Sequence, residues 1–65
     1  MKENMTTGER LRALRGTRSQ EEVAEAIGIS QSALSFYEAD QRVPRDEVKK
    51  RIASYYKRSV GFIFF

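Results

Sequence analysis

Between residues 20 and 38 the chain reads Gln-Glu-Glu-Val-Ala-Glu-Ala-Ile-Gly-Ile-Ser-Gln-Ser-Ala-Leu-Ser-Phe-Tyr-Glu. The small, glycine and apolar positions of this run fall where two short helices cross at a tight turn, and their spacing constrains the fold more than any other feature. Ala24 leaves room for a second helix, Gly28 supplies the positive φ that ends the first, and Ile29 and Leu34 wedge into the angle between them. No other common fold calls for all of these together.

The flanking sequence continues in helices. Thr6 and Glu9 spell a T-x-x-E capping box, and Leu11, Leu14 and Arg15 follow at helical spacing, which predicts a first helix over 7–15 ended by Gly16. Ser19 and Glu22 repeat the box ahead of a second helix over 20–27. That helix is expected to bury Val23, Ala24 and Ile27, with Glu21, Glu22 and Glu25 in water near its positive end. Ser30 caps a third helix reaching Ala39, with Ala33, Leu34 and Tyr37 inward and Gln31, Ser32, Ser35 and Phe36 on the other side. Residues 40–45 read as a loop with Val43 as a core plug. A fourth helix starts at Arg45 or Asp46 and carries Val48, Ile52, Ala53 and Tyr56 inward. Ser59 caps a short last helix containing Val60, Ile63 and Phe64. Residues 1–5 read as a flexible arm before a domain over 6–65, and the fold class expected is an all-α bundle of about five short helices.

At 65 residues the chain makes one domain near the lower limit for independent folding, with a compact core that a second subunit can complete and little room for a large ligand pocket. Twelve Lys and Arg against nine Asp and Glu give a net charge of +3, which suits nucleic acid without demanding it. The absence of Cys and His removes disulfides, thiolate nucleophiles, imidazole bases and the usual zinc ligands. Glu21, Glu22 and Glu25 are dipole-stabilised, solvated groups with nothing apolar beside them to raise a pKa, so no catalytic site, metal or cofactor is expected. The N-terminus has no apolar signal core and the stretch Phe62 to Phe65 is too short to span a bilayer, so a cytoplasmic protein without a membrane partner is expected. Phe62 and Phe65, with Tyr55, predict an exposed aromatic patch of the kind that marks a dimer interface or an aggregation liability.

The ordered set Leu14-Arg15, Ser19-Gln20-Glu-Glu-Val-Ala24, Gly28-Ile-Ser30, Leu34-Ser-Phe-Tyr37-Glu38, Pro44, Ala53 and Ser59-Val60-Gly-Phe-Ile63-Phe-Phe resembles the phage repressor and Cro type of helix-turn-helix domain. This lambda repressor-like, XRE family consists of small five-helix bundles that bind operator DNA, and the resemblance covers nearly everything after the arm. It implies a homodimeric transcriptional regulator whose third helix reads the major groove of double-stranded operator DNA while the preceding helix crosses the backbone. Carried over by position, Gln31, Ser32 and Ser35 become base readers, and Gln20 resembles the residue that contacts phosphate and braces the reader. Glu38 is expected to form a structural ion pair with an arginine of the first helix, which maps onto Arg15. The link between the first two helices is shorter than in many members, and Gly61 and Phe62 stand where acidic residues are common.

The third helix holds no Arg or Lys, so the arginine–guanine contact is missing from its reading face. Gln31 suits adenine, whose N7 and N6 amino group match its amide in a bidentate pair worth about 1–3 kcal/mol of discrimination. Phe36 can rest on a thymine methyl or shield the core edge beneath the 40–44 loop, and the residues leave both open. Phosphate neutralisation falls to Arg18, Arg42, Arg45 and Lys49, and the resemblance ranks Arg42 and Arg45 first because their loop lies near the DNA backbone in this family. Two-fold dimers would read half-sites about 34 Å apart. The competing reading is a protein-interaction module, such as an antitoxin or antirepressor, that uses the aromatic C-terminus to hold a regulatory protein partner.

Overall fold

Hydroxyl caps set most of the helix starts in the computed structural model, which describes residues 5–65. Thr6 Oγ1 accepts from the Glu9 N–H at 3.1 Å, and Glu9 Oε1 accepts from the Thr6 N–H at 2.9 Å, so the first capping box closes both ways and opens α1 (Thr7–Arg15). Ser19 Oγ accepts from the Glu22 N–H at 3.0 Å ahead of α2 (Gln20–Ile27). The second box is only half formed, because the exposed Glu22 carboxylate stays in water, where closing would fix a flexible side chain for little gain. Ser30 caps α3 (Gln31–Glu38) through the Ala33 N–H at 3.0 Å, and Ser59 caps α5 (Val60–Phe64) through the Phe62 N–H at 3.0 Å. Between them, α4 (Asp46–Tyr56) starts after Arg45 without a side-chain cap, and Asp46 and Glu47 place negative charge against its positive end instead. Of the arm expected over 1–5, residues 1–4 lie outside the described residues.

All five helices meet in one core of Leu11, Val23, Ala24, Ile27, Leu34, Ile52, Ala53 and Ile63. Leu14, Ile29, Tyr37, Val48, Tyr56, Val60 and Phe64 pack around it half-buried. The 40–45 loop departs from the reading of its side chains: Val43 is 79 % exposed and Pro44 is the buried residue. Proline brings an apolar ring and no N–H donor, so it can be buried here without leaving a donor unpaired.

Two long-range ties fix the helix-turn-helix against the rest. Gly8 in α1 lies so close to the end of α3 that a Cβ there would overlap the Glu38 carbonyl. Just beyond, Asp40 takes a left-handed φ of 60° and turns its carboxylate onto the start of α1. It accepts from the Gly8 N–H at 2.8 Å and from the Thr6 hydroxyl at 2.6 Å, placing charge at the positive end of that helix. On the other side, Gly28 ends α2 at φ 92°, and Arg51 of α4 reaches the carbonyls freed there. Its guanidinium donates to Ile27 O at 2.9 and 3.2 Å and to Gly28 O at 2.9 Å. Among the described residues no helix is long and apolar enough to cross a membrane.

Candidate nucleic-acid interface

The two sides of α3 differ sharply. Leu34 and Glu38 are buried, whereas Gln31, Ser32 and Ser35 are exposed and Phe36 is 36 % exposed. Gln20, from the first turn of α2, joins these four in a shallow polar hollow on the outer surface of the motif. The four side chains read as the exposed face of the third helix therefore do share one face, and Gln20 stands beside them.

Behind this face a buried carboxylate holds both helices. Glu38 is 2 % exposed and accepts from Arg15 Nε at 2.8 Å, from Arg15 Nη2 at 3.1 Å and from the Gln20 amide nitrogen at 2.9 Å. Hydrogen bonding to Glu38 is the main reason the Arg15 pKa is raised above its usual value, against a smaller opposing cost of burial. A carboxylate only accepts, so it fixes which end of the Gln20 amide points inward. The second N–H and the carbonyl oxygen of that amide are left for the hollow. Nearby, the buried Tyr56 hydroxyl has no hydrogen-bond partner among the described residues, and its pKa is pushed up to about 12 by desolvation first and by the Glu38 charge second.

Residues 9–63 match the sequence family described as Helix-turn-helix. The chain belongs to the helix-turn-helix family. Membership makes it a DNA-binding transcription regulator, with α2 and α3 as the helix-turn-helix. Among solved structures, the solution NMR structure of the DNA-binding domain of the P22 C2 repressor superposes with a TM-score of 0.84 at 23 % identity. The match covers 95 % of this chain and 84 % of that one, and at this identity it is a likeness of fold. No curated protein sequence matches significantly.

Within this helix-turn-helix domain the expected phosphate ligands have different fates. Arg18 is already spent on the protein: Nε donates to Arg15 O at 3.1 Å, Nη2 to Leu14 O at 2.9 Å and Nη1 to the Tyr55 hydroxyl at 2.9 Å. The free carbonyls at the negative end of α1 attract this cation, so in the free protein the exposed Arg18, expected as a phosphate ligand, also serves as a helix-ending group. The Lys49 ammonium lies 4.7 Å from the Phe65 ring centre and 5.6 Å from that of Phe64, which directs it toward α5. Arg45 is exposed at the start of α4. Arg42 places its guanidinium carbon 4.7 Å from the centre of the Phe36 ring.

Phe62 is 58 % exposed and Phe65 is 83 % exposed, and both line an apolar hollow with Met5, Arg10 and Gly61. Tyr55 does not line that hollow; it lies edge-on to Tyr56 at 5.0 Å and is hydrogen-bonded to Arg18. Sequence reading missed Asp40 and Arg51, whose partners are 32–34 and 23–24 residues away in the chain, so no local pattern announces them.

Proposed function

We propose that this helix-turn-helix protein is a sequence-specific, homodimeric operator-binding regulator that lays the N-terminal half of α3 in the major groove. The observation that carries this reading is the polar hollow of Gln20, Gln31, Ser32 and Ser35 on the free side of a helix whose other side is buried. Gln31, at the first position of α3, is the adenine reader, and Ser32 and Ser35 are shorter and less selective. Gln20 holds the reading face to Glu38 and offers its remaining amide groups to DNA at a helix start, where anions are favoured. Arg45 supplies phosphate charge at the flank. The resemblance to repressor domains and the fold shared with a repressor's DNA-binding domain support the same reading. In this role the protein works in the cytoplasm by binding alone, with no chemical step.

Comparing Gln31→Ala with Arg45→Ala in binding titrations tests the assignment. Gln31→Ala relaxes preference at one base pair. Arg45→Ala weakens all sequences alike and lowers the salt slope by roughly one unit. An identical uniform loss in both variants would refute the division between reader and anchor.

The exposure of Phe62 and Phe65 favours a second reading, in which α5 holds a partner protein in the manner of an antitoxin or antirepressor. In the homodimer reading the same two rings form the subunit contact. Phe62→Glu then yields monomers by sedimentation, and an unchanged profile would point to another interface.

A further inference from the structure

Arg42 stands in the loop after α3, where a phosphate anchor was expected, yet its guanidinium lies over a ring that belongs to the reading face. Phe36 lines the same hollow as Gln20, Gln31, Ser32 and Ser35, and the Arg42 guanidinium carbon is 4.7 Å from its ring centre. Among the described residues no side chain or carbonyl accepts a hydrogen bond from this guanidinium. Arg18 and Arg51, by contrast, are consumed by backbone carbonyls.

Resting on the reading of α3 as the groove helix, we propose that Phe36 and Arg42 together form a guanine-reading element at the rim of the base-reading surface. An aromatic face attracts a guanidinium and restrains it by stacking, while the donors along the edge of the fork stay free. That edge matches two acceptors side by side, and in the major groove only guanine offers them, as N7 and O6. The ring supplies what a loop arginine lacks, which is restraint: it removes rotamer freedom before binding and keeps the fork beside Phe36, at the edge of the face that carries Gln31 and Ser35. The element also supplies the one base contact missing from α3, which carries neither Arg nor Lys. Phe36 thereby has a role other than a thymine contact or a cover for the core, since its exposed face serves as the platform for Arg42.

The test uses the full chain and a duplex it selects, with the guanine nearest the adenine position replaced by 7-deazaguanine. This removes the N7 acceptor and leaves Watson–Crick pairing and every phosphate in place. Binding of the unaltered protein is expected to fall about tenfold on the modified duplex, within the range of one bidentate base contact. Arg42→Ala binds both duplexes equally, and Phe36→Leu, which keeps the charge and loses the platform, shows a reduced difference between them. Circular dichroism of both variants verifies folding, and each residue lies at the surface.

A protein that ignores the N7 replacement at every guanine of its site, with Arg42→Ala weakening all duplexes alike, would overturn the proposal and return Arg42 to the phosphate anchors. That result would leave the groove reading of α3 intact. Failure to select any duplex would instead overturn the groove reading, and this proposal with it.

Discussion

Glu38, at the end of α3, holds Arg15 of α1 through two hydrogen bonds of 2.8 and 3.1 Å while 2 % exposed to solvent. The pair joins the first helix to the back of the reading helix, and through Gln20 it also reaches the first turn of α2. Removing one partner leaves the other charge unpaired, Glu38 in the interior or Arg15 half-buried beside it. Glu38→Ala is therefore expected to destabilise the domain by about 3–5 kcal/mol, measured by urea unfolding. Replacing both residues with apolar ones of similar volume recovers most of this loss. A double variant as unstable as Glu38→Ala would show that the network contributes stability that packing cannot replace.

Tyr56→Phe removes a buried hydroxyl that has no partner among the described residues, so stability at neutral pH is expected to hold or rise by up to about 1 kcal/mol. The effect changes in alkali. The folded pKa of about 12 lies above the ordinary 10.0, so the contribution of Tyr56 is whole below pH 10 and is lost as pH rises through about 12. Unfolding curves across that window are expected to show a steeper alkaline decline for the unaltered protein than for Tyr56→Phe. Parallel declines would refute the buried state of the hydroxyl.

Asp40 acts at the acid end. Its hydrogen bond from the Thr6 hydroxyl, and next that from the Gly8 N–H, hold its carboxyl below the ordinary 3.8. Its stabilising contribution is present above that value and is lost as pH falls through the lower, folded pKa. Asp40→Asn is expected to melt at a lower temperature near neutrality and to show a flatter acid decline than the unaltered chain. Equal melting temperatures at neutral pH would mean that the carboxylate does not secure the start of α1.

Gly8→Ala places a methyl group against the Glu38 carbonyl, so α1 and α3 must separate, at a cost of about 1–3 kcal/mol in urea unfolding. Gly61→Ala is the contrasting variant. Its added methyl meets only Ser59 Oγ, at 4.0 Å, and the gain in helix propensity is expected to stabilise α5 by up to about 1 kcal/mol. A harmless Gly8→Ala would contradict the close approach of the two helices.

What could be read from the chain divides along sequence distance. Thr6, Ser19, Ser30 and Ser59 each cap a helix three residues away, and Gly28 ends α2 within its own turn, so these boundaries were legible. The exposed set on α3 followed from helical period, because the buried Leu34 fixes which way the opposite side faces. The pairing of Arg15 with Glu38 came from the family resemblance, since 23 residues separate the two. Asp40, Arg51 and the Arg18 cage around Tyr55 and Tyr56 were not legible, because each exists only once the helices have packed. Apolarity alone favoured Val43 over Pro44 as the buried loop residue, and the missing proline donor decided otherwise.

Selecting bound sequences from a random duplex library at near-physiological salt tests groove reading by α3 most directly. Enrichment of a two-fold symmetric motif is expected, with half-sites about 34 Å apart or a multiple of it and an adenine whose preference disappears in Gln31→Ala. No enrichment, or only salt-labile binding to any duplex, would contradict it and leave the exposed rings of Phe62 and Phe65 as the functional surface.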